Sequence, residues 1–155
     1  MPLLESVILL LGTGCYVAAL VLTVVRLFNR RAPLRGINFI LILSGWLLQT
    51  AGLWIVGMTV GACPVRNPFQ VFQFISWSIV LVYLFTGQVF RLSLFGTASA
   101  SLAALIGLAA YLVPGDIYSG PMSPLGGHPR VEAHAAIALL SYGIFGLLDV
   151  LSALY

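Results

Sequence analysis

Apolar residues fill this chain in five long runs, and the polar positions between them come in short clusters. The runs are Leu3–Phe28, Ile37–Val60, Phe69–Phe90, Leu94–Val113 and Val131–Tyr155. A helix needs about 20 apolar residues to cross the hydrocarbon core of a bilayer. The pattern therefore predicts an all-α, polytopic transmembrane bundle of about five spanning helices, forming a single domain over residues 1–155. The fifth run carries Asp149 near its far side and stops at Tyr155 without a polar tail. That finish is expected of the N-terminal portion of a longer protein, incomplete at its C-terminus.

The breaks between runs have their own chemistry. Pro64 ends the second run, and Asn67 followed by Pro68 starts the third. Asparagine caps orphan backbone N–H groups, and proline is tolerated at the first helical position. The stretch "VPGDIYSGPMSPLGGHPR" is too rich in glycine and proline for a helix. It reads as a functional loop or lid, or equally as a passive linker. In the fourth run, Gly96, Ala100 and Ala104 recur at four-residue spacing, as do Ala103 and Gly107. Small residues so spaced let helices approach closely in lipid.

Composition sharpens the picture. The chain is 61% hydrophobic and 7% charged, against about 25% charged in soluble domains. It cannot cover a water-facing surface, so the bilayer is its expected solvent. All seven basic residues are arginines, and they cluster between the apolar runs. The net charge of +3 thus forms no basic stripe, and nucleic acid is excluded as a partner. Arg26, Arg30, Arg31, Arg35 and Arg91 flank the first and third connections, while Arg66 and Arg130 lie on the other side. Cytoplasmic loops carry the arginine excess. This places the N-terminus, the Gly61–Pro68 loop and the 114–129 loop outside. Glu5 and the lack of a basic residue before the first run argue against a signal peptide. Cys15 falls within a span and Cys63 in a loop, so no disulfide framework is expected.

Few residues could carry chemistry. Gln70, Gln73 and Trp77 share a helical face. Lipid offers no hydrogen bonds, so that face should point into the bundle. There it serves either interhelical amide bonds beside an aromatic belt or as a wall for a planar ligand. His134 falls near the outer end of the fifth helix. Neutral imidazole is a common metal and haem-iron ligand, and a lone histidine here also reads as a structural or interfacial residue. Arg130, four residues earlier, shares its face. Arg66 and Arg130 suit carboxylate recognition, and also headgroup anchoring or pairing with Glu132 or Asp116. The middle of the spans offers only weak polar groups such as Gln49, Thr50 and Ser78, which argues against half of a transporter. No hydrolase triad, phosphate loop or paired carboxylates occur, so no catalysed reaction is assigned.

The segments "CPVRNPFQVFQFISWSIVLVYL" and "HAAIALLSYGIFGL" resemble the cytochrome c assembly family of haem-handling membrane proteins, in its HemX-like and CcsA-like branch. Pro64, Val65, Asn67, Phe69 and Trp77 match a motif that opens a helix at the outer surface. His134, Tyr142 and Phe145 match a later helix that begins with an outward-facing histidine. The resemblance implies a multi-pass protein of the bacterial inner (plasma) membrane that holds or presents haem at the outer leaflet. It implies His134 as an iron ligand, Trp77 beside the macrocycle, and Arg66 or Arg130 at the propionates, with Asn67 and Gln70 in the same motif. Many members carry glutamate where this chain has Gln70. Members are also longer and supply a further histidine. Its counterpart here would come from a second copy, from another cytochrome c assembly protein or from later helices. The competing expectation is a structural or assembly subunit without haem.

Overall fold

The computed structural model describes residues 2–28, 35–90, 93–113 and 128–154. Arg30, Arg31, Arg91 and Asp116, which entered the orientation and pairing arguments, lie outside the described residues, as does most of the 114–129 loop. Five α-helices account for the described chain: α1 (Pro2–Phe28), α2 (Arg35–Val60), α3 (Pro68–Phe90), α4 (Ser93–Leu112) and α5 (Pro129–Leu154). Each starts and ends within two residues of an apolar run. Four of them are long and apolar enough to cross a membrane; the apolar part of α4, Gly96–Leu112, is shorter. The protein is a helical membrane bundle.

Helix α1 packs antiparallel on α2 and also touches α4; α3 packs on α4, α5 and α2. Small residues set the approach, as expected where lipid gives no hydrophobic drive between helices. A Cβ on Gly45 would lie 2.6 Å from the Tyr16 ring and 2.9 Å from the Gly12 carbonyl oxygen, so α1 and α2 meet nearly backbone to backbone. Gly96, Ala98, Ala100, Ala103, Ala104 and Gly107 of α4 are all buried. Gly96 faces Tyr83 of α3, and Gly107 faces Thr13 of α1 and Ser76 of α3. Ser76 donates to the Ala103 carbonyl at 2.9 Å. The core formed around Tyr16, Ile42, Ile79, Val80, Ala100, Ala103 and Ala104 lies between α1, α2, α3 and α4, and Leu147 of α5 completes it.

The turn between α2 and α3 is built by three separate devices. Gly61 takes a φ of 67°, and the Ala62 N–H donates to the Gly57 carbonyl at 3.2 Å. That pairing closes α2 with a left-handed glycine cap. Six residues later Asn67 Oδ1 accepts the Gln70 N–H at 2.8 Å, and Gln70 Oε1 accepts the Arg66 N–H at 2.8 Å. The two side chains thus satisfy donors reciprocally, in the manner of a capping box. Finally, the Cys63 N–H donates to Glu132 Oε2 at 3.1 Å. Glu132 sits in the first turn of α5, so the starts of α3 and α5 lie at the same end of the bundle.

Candidate functional site

The residues expected at the site fall into three places. Arg66, Asn67 and Gln70 are together, and the hydrogen bonds above explain why. Asn67 is buried and Gln70 is 2% exposed, and both serve the α3 start. Arg66 is half-buried beside them.

Trp77 lies two turns further along α3 and faces α2. Its indole N–H donates to Thr50 Oγ1 at 2.7 Å, and Thr50 donates in turn to the Trp46 carbonyl at 2.7 Å. The Trp77 ring stacks on Trp46, with centroids 5.9 Å apart and planes at 17°. Phe74 adds a tilted contact at 5.3 Å. The indole is therefore held on its edge by a hydrogen bond and on its face by a second indole. The Trp46 Nε1 is buried with no hydrogen-bond partner.

His134 and Arg130 stand on the exposed side of α5. The direction follows from helix geometry. Gly143 is buried against Ser78 and the Ile79 backbone of α3. His134 precedes it by nine residues, or about two and a half turns at 3.6 residues per turn, and so points away from α3. Trp77 points from α3 toward α2. The structure thus does not bring His134 and Trp77 to one face. His128, exposed, provides the carbonyl that accepts the Val131 and Glu132 N–H groups at 2.9 and 3.2 Å; it begins α5 through its backbone.

Sequence patterning had singled out Gln73 for a shared face but not its partner. Gln49 Nε2 donates to Gln73 Oε1 at 2.6 Å, and the Tyr16 hydroxyl donates to Gln49 Oε1 at 3.0 Å. Gln73 Nε2 reaches the Gly107 carbonyl at 3.4 Å. This chain of polar groups joins α1, α2, α3 and α4, with Tyr16, Gln49 and Gln73 all fully buried. Of the readings open for the Gln70–Gln73–Trp77 face, interhelical amide bonding is the one the contacts show for Gln73.

At the bundle end, Cys63 is half-buried, and its thiol is pushed above its ordinary value by burial first and by the Glu132 carboxylate second. It is therefore a poor thiolate. An open recess of roughly 420 Å³ lies beside it, lined by Leu53, Trp54, Gly57, Met58, Gly61, Ala62 and Pro64; none of the expected site residues lines it.

Among the described residues no three His, Cys, Asp or Glu side chains gather to hold a metal ion. Haem iron asks less of the protein, because the macrocycle fills the equatorial positions and only axial donors are needed. If haem were bound, His134 would offer its iron a nitrogen donor, and Arg130 on the same exposed face would suit a carboxylate. Trp77, held in the α2–α3 interface, does not join that set. Comparison with protein-family models, curated proteins and solved structures finds no match.

Proposed function

We propose that this membrane bundle is a haem-handling protein of cytochrome c assembly type, which holds or presents haem at the outer leaflet of the bacterial inner membrane. The observation that carries the reading is the exposed imidazole of His134, placed about a turn and a half into α5 at the bundle end shared with Cys63. Arg130 lies one turn toward the end of the helix on the same face, where a propionate would meet it. Haem, when bound, would supply the redox-active iron; the chain would supply a donor, a cation and an apolar surface around Ile137 and Phe145. With His134 as the donor on this face, a further iron ligand would come from outside it: a second copy, another cytochrome c assembly protein or further helices. No catalysed reaction is needed for such a role.

The test is absorption spectroscopy of detergent-purified protein after haem addition. His134→Ala should remove or shift the haem band, His128→Ala should leave it, and added imidazole should partly restore the His134→Ala spectrum. Haem bound with no dependence on His134 defeats the ligation.

One observation favours a second reading, a structural or assembly subunit without haem. Trp77, Asn67 and Gln70 all make protein–protein hydrogen bonds, so three residues expected around haem already have structural roles. Failure of the chain to bind haem, alone or with its membrane partners, decides for that reading.

A further inference from the structure

We propose that one water molecule is a fixed part of this bundle, bound between Thr13 of α1, Gln73 of α3 and Tyr111 of α4. The haem reading uses none of these three residues. The site lies about 7.5 Å below the start of α3, five residues at 1.5 Å each.

Thr13 differs from other threonines of the spanning helices. Thr23, Thr50, Thr59 and Thr86 each donate to the carbonyl four residues back, at 2.7–2.9 Å. That bond satisfies a hydroxyl within its own helix, with no outside partner. Thr13 does not make it. The residue is 1% exposed, and its Oγ1 is buried with no hydrogen-bond partner among the described residues. A hydroxyl in lipid-enclosed protein has no bulk water to turn to. Thr13 has left its own backbone unused and gained no protein partner in exchange, and a buried polar group in that state points to a bound ligand.

Its surroundings are polar and belong to three helices. Gly107 of α4 stands opposite: a Cβ there would lie 3.2 Å from Thr13 Oγ1 and 3.3 Å from Ser76 Oγ. The Tyr111 hydroxyl lies beside both the Thr13 and the Gln73 side chains, yet Thr13 Oγ1 makes no hydrogen bond of good geometry with it. Gln73 is fully buried. Its amide oxygen accepts from Gln49 at 2.6 Å, and its amide nitrogen reaches the Gly107 carbonyl only at 3.4 Å, long for such a bond. An amide nitrogen carries two hydrogens, so Gln73 can serve that carbonyl and one acceptor more.

These groups define what is held. Two hydroxyls and an amide carry no formal charge, so an ion would be buried without a counter-charge. The ligand is neutral, and it both accepts and donates. It is also small: an added Cβ on Gly107 would already lie 3.0 Å from Thr13 Cγ2. A buried water typically makes about three hydrogen bonds to polar groups that lack other partners, and three side chains meet here. Tyr111 is 37% exposed and sits next to the end of α4, which gives the water a way in. The water adds a link from α1 to α3 and α4, beside the one that runs from Tyr16 through Gln49.

The experiment is solid-state NMR of the full chain in lipid bilayers, with magnetisation passed from water to protein over short mixing times. The Gln73 side-chain amide and the Thr13 side chain should receive it. The Gln49 amide, whose nitrogen meets two oxygens of Gln73 at 2.6 and 3.2 Å, should not. Thr13→Val keeps the shape and removes the hydroxyl. It should abolish transfer to Gln73 and raise the unfolding constant about three- to tenfold, the loss of one net hydrogen bond. Thr13→Ser should preserve both the transfer and the stability. Without the water, Thr13→Val merely removes an unpaired buried hydroxyl, and stability should hold or rise. No transfer to Gln73 in the parent chain, equal transfer to Gln49, transfer to Gln73 that survives Thr13→Val, or a Thr13→Val chain as stable as its parent would each overturn the proposal.

Discussion

The side-chain amides of Gln49 and Gln73 meet across the α2–α3 interface with 2.6 Å between nitrogen and oxygen. Both residues are fully buried, and neither has water to fall back on. Hydrogen bonds between membrane helices average about 0.6 kcal/mol and reach about 1.7, and a buried polar group left without its partner adds a desolvation cost. Gln49→Leu and Gln73→Leu should each destabilise the bundle by about 1–2 kcal/mol. The double substitution should cost less than the sum, because it removes both halves of the pair. Unfolding of detergent-solubilised protein, read as a double-mutant cycle, checks this; strict additivity would show the two amides to be independent.

Glycines at and away from helix contacts should respond in opposite directions. Gly45→Ala pushes a methyl group into the Tyr16 ring and toward the Gly12 carbonyl, and overpacking of this kind costs about 1–3 kcal/mol. Gly14, on the same pair of helices, has nothing within 4 Å of an added Cβ. Gly14→Ala should therefore be neutral, or stabilising by up to about 1 kcal/mol through helix propensity. The same unfolding assay distinguishes them, and a neutral Gly45→Ala would mean that α1 can move off α2 freely.

The Cys63 thiol titrates above its ordinary range, for the two reasons given above. A raised value means less thiolate at any given pH, so alkylation should be slow near neutrality and should rise at higher pH than for a free thiol. Burial is the larger cause and Glu132 the smaller. Glu132→Gln should therefore speed alkylation modestly and shift its pH profile downward without bringing it to that of a free thiol. A rate profile unchanged by Glu132→Gln would remove the carboxylate from the account.

The same thiol reports orientation. From the arginine asymmetry the Gly61–Pro68 turn is expected outside. An impermeant thiol reagent applied to intact cells should modify Cys63 slowly but measurably, and opening the cytoplasmic face should add nothing. Labelling only after the cells are opened would invert the topology, and would carry His134 to the other side with it.

The helix ends were legible in the sequence because they depend on local chemistry. Asn67–Pro68 and Pro129 announce helix starts in any context, and a run of apolar residues announces a span. Partners across helices were not legible. The spacing of Gln70, Gln73 and Trp77 put them on one face, yet the three meet different groups: the Arg66 backbone, Gln49 and Thr50. Gln49, Thr50 and Ser78 looked like weak polar groups scattered at mid-span. Gln49 and Thr50 supply cross-helix hydrogen bonds, and Ser78 lies where α5 comes closest to α3. Periodicity gives the direction of a side chain about its own axis; it cannot give the neighbour in that direction. For the same reason the outer-end position of His134 could be read, while its half-turn away from the α3 contact at Gly143 needed the packed helices.

The polar chain from Tyr16 through Gln49 and Gln73 to Gly107 has one member on each of the first four helices and none on α5. Helix α5 joins the bundle instead through its close approach at Gly143, through Leu147 in the apolar core and through the hydrogen bond from Cys63 to Glu132. In order of assembly, the polar lock of the first four helices can close before the fifth arrives, and loss of the fifth would open the apolar core at Leu147 while leaving those hydrogen bonds in place. A helix attached in this way, by packing and by the Cys63–Glu132 hydrogen bond, adds to a four-helix base whose polar links do not depend on it.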